Sequence, residues 1–273
     1  MNIIDIHTHI YPPEISVKAT QSIRDFYDIQ GGRMDGSVKM LLERCRIAGI
    51  GRQVVLPVAV RPDRVRSINE FIRHQAEEHS SFIPFGTVHA AMEDVGGEAE
   101  WLLSVGMKGI KLHPDFSRFD LDDPRLFPMY ETVRGKIPVI FHMGDKRYDW
   151  SHPHRLRSLL QKFPGLQVIA AHFGGYSMYE TAYELLYDTD CVMDISSSMM
   201  FMEPGVAEKY INIYGAERMA YGTDYPLWDP VTEVEAFQKL KLTDEQFDQI
   251  AHKTAERILG LRVSPALRGA FRP

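Results

Sequence analysis

Along the chain, short apolar runs alternate with stretches in which apolar residues recur at helical spacing. The runs are Ile3–His9, Gln53–Val58, Ile83–His89, Met107–His113, Ile137–His142, Gln167–His172, Cys191–Ile195 and Met219–Asp224. The helical stretches are Ser37–Ala48, Val65–Glu78, Val95–Leu103, Arg125–Val133, His154–Phe163, Ser177–Tyr187, Glu208–Tyr214 and Val231–Leu240. A strand followed each time by a helix predicts parallel strands, because the helix returns the chain to the same end of the sheet. Eight such units predict an α/β fold of the (β/α)8 TIM-barrel kind, with side chains filling the interior.

Two segments exceed this repeat. Tyr11–Asp35 contains Pro12–Pro13, an amphipathic piece around Ile23–Ile29 and Gly31–Gly32. It is expected to be a loop inserted after the first strand, carrying a short helix and lying over the barrel mouth as a lid. Asp244–Leu259 is expected to be an extra C-terminal helix, capped by Thr243 or Asp244 and covering the outside or bottom of the barrel. Residues 262–273 read as a loosely held tail of a single domain spanning 1–273.

Composition narrows the classes of function. A chain of 273 residues with 44% apolar and 25% charged residues suits one globular barrel. The net charge of −6, without a Lys or Arg run, argues against a nucleic-acid surface. No stretch approaches the roughly 18–20 apolar residues of a membrane span. Met1–His9 lacks the basic start and apolar run of a signal peptide, so the cytoplasm is the expected compartment. Cys45 and Cys191 are too few for a disulfide framework, and Cys45 lies on the stripe Val38, Leu41, Leu42, Cys45, Ala48 as a core thiol. The outer helices leave room for a homodimer, though no surface stripe demands one.

The chemistry lies in the histidines. Of eleven, six (His7, His9, His89, His113, His142 and His172) fall at the carboxyl ends of predicted strands, where barrel enzymes place their active sites. Period-two alternation puts His7 and His9 on one face and Ile6 and Thr8 on the other. Applied to Pro138, Ile140, His142 and to Val168, Ala170, His172, it aims both histidines inward. Asp224 follows inward above the small residues Ala220 and Gly222. A lone inward histidine is more often a satisfied core residue than a ligand, but four strand ends presenting ligand-type side chains argue jointly for a metal. The set suits zinc or another divalent first-row ion with a position left for water, whose pKa the ion lowers toward ~7. Asp224 is then placed to touch the metal and take the water's proton, and His172 to orient that water or polarise the substrate.

Taken in order, Asp5-Ile6-His7-Thr8-His9, Gly109-Ile110-Lys111-Leu112-His113-Pro114, Phe141-His142-Met143-Gly144, Ala171-His172-Phe173-Gly174-Gly175 and Tyr221-Gly222-Thr223-Asp224-Tyr225-Pro226 resemble the amidohydrolase superfamily. The branch most similar is amidohydrolase-2, which includes hydrolases of cyclic acids, hydratases and non-oxidative decarboxylases. The resemblance implies one divalent metal, zinc first and manganese second, held by His7, His9, His142 and Asp224. His172 would bond the activated water or the substrate, or become a ligand if two ions bind. Lys111 matches a position that carries a carboxylated bridging lysine in binuclear relatives. In this branch it stays unmodified, which implies a substrate-binding role. The alternative is a buried amine paired with Asp115 or Asp5.

Loops after the strands would complete the pocket for a small-molecule substrate. Arg61, Arg118 and Arg147 are candidates for holding a carboxylate, His113 for the wall, and Tyr11 and Trp150 for covering a ring. The leading expectation is hydrolysis of an ester, lactone or amide of a small carboxylate-bearing or cyclic compound by metal-activated water. A lyase, either decarboxylase or hydratase, on the same metal is the alternative, and a non-catalytic binding barrel is the third reading.

Overall fold

A computed structural model describes residues 2–261; the expected loose tail lies outside the described residues. Its strands are β1 (Ile3–Thr8), β2 (Ile50–Val55), β3 in two pieces (Phe82–Pro84 and Gly86–Thr87), β4 (Ile110–Leu112), β5 (Val139–Phe141), β6 (Val168–Ala170), β7 (Val192–Asp194) and β8 (Met219–Ala220). Every neighbouring pair is parallel. At the interruption of β3, Phe85 N–H still donates to Val55 O, and Gly86 N–H donates to Gly109 O. The circle closes where Ile6 N–H donates to Tyr221 O, Asp224 N–H to His7 O and His9 N–H to Tyr225 O. This is the expected TIM barrel.

Apolar side chains fill two layers. Ile4, Ile6, Val54, Leu56, Ile83, Phe85, Ile140, Ile169, Val192 and Ala220 pack inside the barrel. Ile3, Val55, Ile110, Leu112, Val139, Phe141, Val168 and Ala170 face the outer helices. α1 (Ser16–Tyr27) lies over the mouth, where Ile23 and Tyr27 wall the cavity, and the outer helices include α2 (Val38–Ala48), α3 (Val65–Glu78) and α4 (Val95–Ser104). After them come α5 (Pro114–Ser117), α6 (Phe127–Val133), α7 (Pro153–Lys162), α8 (Tyr179–Leu186), α9 (Val206–Tyr214) and α10 (Pro230–Gln238). Among the described residues no helix is long and apolar enough to cross a membrane.

The C-terminal helical stretch, 244–258, begins on a capping box in which Thr243 and Gln246 satisfy each other's backbone N–H groups. Its middle, Gln249–Lys253, widens into a π-helical turn, and there Ile250 O accepts the N–H of Tyr221, the residue after β8. Ala255, Ile258 and Leu259 then join the barrel interior from below. The inserted segment is more ordered than a loop with a short helix: α1 begins at Ser16, well before the amphipathic piece at Ile23.

Candidate metal centre

The strand-one histidines reach the interior by a break in alternation. Ile4 and Ile6 both face inward, and strict period two would send His7 outward. The pairing of β1 on β2 slips by one residue between Asp5 and Thr8, a bulge that re-aims the chain. Buried Asp5 braces it: Oδ1 accepts the N–H of His7 and of Thr223, each at 3.0 Å, and Oδ2 accepts the Thr223 hydroxyl at 2.6 Å. Gly222 is required opposite, since a Cβ there would lie 2.9 Å from the Cβ of His7. His172 also escapes alternation, because Ala171 faces inward and Val168 and Ala170 outward. A left-handed backbone at His172 (φ 60°) turns its ring into the barrel. His142 follows Ile140 inward by simple alternation.

Hydrogen bonds on the far side of each ring fix which nitrogen carries its lone pair. His7 Nδ1 lies 2.8 Å from Asp194 Oδ2, which can only accept, so Nδ1 donates and Nε2 carries the lone pair, facing Lys111 Nζ. His9 Nδ1 donates to Leu56 O at 2.7 Å, leaving the lone pair on its Nε2 as well. Asp224 Oδ1 sits 3.5 Å from His7 Nε2 and 3.4 Å from His9 Nε2. Burial, followed by the charge of Lys111, lowers His7 to about 4 and keeps the ring neutral. For Asp224, burial opposes ionisation, yet His7, His9 and His172 outweigh it and hold the carboxylate well below its usual range. Three lone-pair atoms thus converge within 4.8 Å of one another, and Lys111 Nζ, 3.1 Å from His7 Nε2, supplies the local positive charge. A divalent cation suits such a donor set, and the oriented far-side partners are those of metal-ligand histidines.

His142 stands apart from this group. Phe116 N–H donates to His113 Nδ1 at 3.3 Å, so His113 Nε2 carries the hydrogen and donates to Tyr27 Oη at 3.1 Å. Tyr27 in turn donates to His142 Nε2 at 2.9 Å, and His142 Nδ1 donates to His172 Nε2 at 3.0 Å. His172 Nδ1 faces Ser196 O at 3.1 Å, an acceptor that closes the chain in the same sense. Both nitrogens of His142 are therefore engaged. Asp115, raised to about 7 by burial, lies 3.8 Å from His142 Nε2.

The cavity is lined by His7, His9, Asp224, Lys111, His113 and His142, and walled by Tyr11, Ile23, Tyr27, Val58, Phe116, Pro226 and Leu227. Lys111 is buried and pushed down to about 8 by desolvation; its amine pairs with His7 rather than with Asp115 or Asp5. The expected arginine clamp does not assemble here. Arg61 is exposed and forms an ion pair with Asp63 two residues on. Arg118 is exposed and closes α5 in the left-handed region. Arg147 pairs with buried Asp145, donates to Phe26 O at 2.7 Å and lies 4.7 Å over the Phe26 ring. Trp150 stacks on Tyr148 outside the cavity. His89 is buried and accepts the N–H of Ala91 instead of facing the metal group.

Sequence reasoning missed Tyr27 and Phe26 on α1, Asp194 at the end of β7, and Ser196 and Ser197 after it. The one available signal for the latter was an acid, Asp194, inside an otherwise apolar run.

A closed parallel barrel with lone-pair imidazole and carboxylate donors at the carboxyl ends of its strands defines a metal-dependent barrel enzyme. The chain belongs to the amidohydrolase family, amidohydrolase-2 branch, whose sequence profile matches residues 4–261. Solved structures share the fold. An uncharacterised TIM-barrel protein from Bordetella bronchiseptica is 22% identical, with a TM-score of 0.79 over 96% of this chain and 99% of that one. The 5-carboxyvanillate decarboxylase of Sphingomonas paucimobilis is 16% identical, with a TM-score of 0.74 over 96% and 99%. A dihydroxybenzoic acid decarboxylase from Polaromonas sp. JS666, solved with manganese and 2-nitroresorcinol, is 16% identical, with a TM-score of 0.73 over 98% and 100%.

Proposed function

We propose that this chain is a metal-dependent lyase that removes the carboxyl group of a small ring-bearing acid as carbon dioxide. The observation that carries the reading is the cavity wall: the rings of Tyr27 and Phe116 and apolar Ile23 and Leu227 line one cavity with ionised Asp224 and Lys111. The decarboxylases of hydroxylated aromatic acids that share the fold support it. His7, His9 and Asp224 would hold the cation, and His142 would join them by giving up the hydrogen bond its Nε2 accepts from Tyr27. A divalent ion bound there, manganese or zinc, supplies an electrophile that fixes and polarises the substrate's oxygen atoms.

Lys111 Nζ is the cation facing the substrate carboxylate. The apolar walls disfavour its localised charge and favour neutral carbon dioxide as the leaving group. Asp224 takes the proton of a ring hydroxyl and returns it to the carbon that bears the carboxyl group. The carbon–carbon bond then breaks, its electron pair restores the ring, and carbon dioxide departs; one proton has moved from oxygen to carbon.

Hydrolysis is the second reading, favoured by the ionised Asp224 beside the lone-pair nitrogens of His7 and His9, where a carboxylate can take a proton from water. Manganese- and zinc-loaded protein offered hydroxybenzoic acids, lactones and amides separates the two. The expected result is carbon dioxide from a hydroxylated aromatic acid, abolished in His7→Ala and Asp224→Ala. Lactone or amide turnover without carbon dioxide would make the protein a hydrolase. Absence of bound metal in the wild type would leave a non-catalytic barrel.

A further inference from the structure

Asp224 is held by a hydrogen-bond chain that begins near the rim of the mouth. Its Oδ2 accepts the hydroxyl of Ser197 at 2.5 Å, and Ser197 Oγ accepts the indole N–H of Trp228 at 2.7 Å. The direction of the chain is unambiguous. An indole nitrogen can only donate, so Ser197 Oγ receives from Trp228 and its single hydrogen is released to the carboxylate. Donor, relay and charged acceptor then polarise one another in a buried setting, where Ser197 and Asp224 are 2% and 6% exposed.

Both ends of the Ser197–Asp224 bond sit on left-handed backbone, Ser197 at φ 48° and Asp224 at φ 61°. Neither residue type favours that region strongly enough to adopt it without support, so two strand ends have been turned toward each other. The turn after Asp224, closed by Leu227 N–H donating to Asp224 O at 2.9 Å, brings Trp228 back over Ser197. Trp228 is half-buried and packs edge-on to Phe201, an exposed residue of the loop after β7.

We propose that Ser197 and Trp228 are positioning residues that fix the rotamer of Asp224, so that Oδ1 alone is presented to the His7 and His9 nitrogens. With Oδ2 occupied by Ser197, Asp224 would serve a cation through Oδ1 alone, the oxygen that faces His7 and His9. Without the chain the carboxylate is free to rotate about its own axis and to offer either oxygen. This rests on the reading of His7, His9 and Asp224 as a cation site, and the test keeps the two apart.

The test is the manganese dissociation constant of wild type, Ser197→Ala and Trp228→Phe by equilibrium dialysis. The visible spectrum of each protein loaded with cobalt in place of manganese accompanies it. Ser197→Ala is expected to weaken manganese binding about 10–100-fold, the usual effect of removing a partner of a metal ligand. Trp228→Phe keeps a ring against Phe201 and removes only the N–H, and is expected to weaken binding about 2–10-fold. The cobalt spectrum is expected to change in both, since the ligand field reports which oxygens of Asp224 coordinate. Affinities and spectra equal to wild type would overturn the positioning role. So would a lowered thermal midpoint with affinity and spectrum unchanged, which would mark a purely structural contact. If Ser197→Ala does not fold, Trp228→Phe alone decides the matter. A wild type that binds neither ion would overturn the cation site itself, and the positioning role with it.

Discussion

Arg147 holds α1 on the barrel mouth by contacts whose worth can be counted. Its Nη1 donates to Phe26 O at 2.7 Å, and its guanidinium lies 4.7 Å and 5.2 Å from the ring centroids of Phe26 and Tyr27. The side chain is 41% exposed, so each ring contact belongs at the low end of the cation–π range, about 0.5 kcal/mol. The hydrogen bond to a carbonyl adds about 1 kcal/mol after screening. Arg147→Ala is therefore expected to weaken docking of α1 by about 1–2 kcal/mol, raising the population of undocked α1 about 5–30-fold. The same change strands the buried carboxylate of Asp145, which loses three bonds from the Arg147 guanidinium. That loss lowers stability everywhere, and a double variant with Asp145→Asn removes it. Hydrogen exchange followed residue by residue is the assay. In the double variant the amides of α1 are expected to exchange about 5–30-fold faster while those of β1 and β5 keep their wild-type rates. Unchanged exchange in α1, or one common acceleration throughout, would refute the argument that Arg147 is a latch for the lid.

Two further outcomes follow from buried acids. Glu233, 5% exposed with Oε2 lacking a protein partner, is raised from 4.5 to about 8, by burial first and by Asp5 and Asp224 next. The folded protein therefore keeps a proton that the unfolded chain has released, so stability falls as pH rises from 4.5 to about 8 and is level above. Glu233→Gln is expected to leave the thermal midpoint little changed at pH 4.5 and to raise stability by about 2–4 kcal/mol at pH 9, where an equal effect at both pH values would sink the assignment. Asp194→Asn sets an amide against His7 Nδ1–H on one side and the N–H groups of His172 and Ser196 on the other, and neither amide orientation satisfies both. It is expected to weaken manganese binding at least ~10-fold and stability by about 1–3 kcal/mol, measured by dialysis and denaturant titration, with wild-type affinity refuting the tautomer argument.

Much of this was legible in the sequence because it depended on period. Val65–Glu78 forms a helix over the residues its apolar spacing predicted, since Val65, Asn69 and Ile72 lie on one buried face. β2 begins earlier than expected, at Ile50, because Gly51 and Arg52 break the apolar run while Ile50 and Arg52 still pair with Ile3 and Ile4 of β1. The start of α1 was hidden for the opposite reason. Ile15 and Val17 are apolar but 47% and 67% exposed, so no amphipathic stripe marks the first turn. The arginines misled because a cation near the mouth and a cation in the cavity look alike in one dimension. Arg61 and Arg147 each find an aspartate two residues away, a local pairing that takes both out of the pocket.

The site itself was legible by residue type and illegible by geometry, and one cause accounts for both. An uninterrupted strand alternates, so it delivers every second side chain to the interior, and those places are taken by packing: Ile4 and Ile6, Ile169, Val192, Ala220. His142 and Lys111 reach the cavity by continuing the alternation of their strands, but the other polar side chains need a change of phase. It comes at four strand ends: by a bulge at His7, by left-handed residues at His172 and Phe173, at Ser197, and at Asp224. Non-glycine residues in that region are each held at a cost of about 1–3 kcal/mol, so three strand ends sharing the feature imply that surrounding bonds compensate for it. The carboxylate of Asp194 is central to that compensation. Its Oδ1 takes the N–H of His172 and of Ser196, and its Oδ2 takes the ring of His7, so one buried side chain fixes the turns after β6 and β7 and the tautomer of His7. Burial resists its charge, but His7 and His172 outweigh that and hold it ionised far into acid. Asp194 does not itself line the cavity, yet the turns after β6 and β7 and the ring of His7 all meet at its two oxygens.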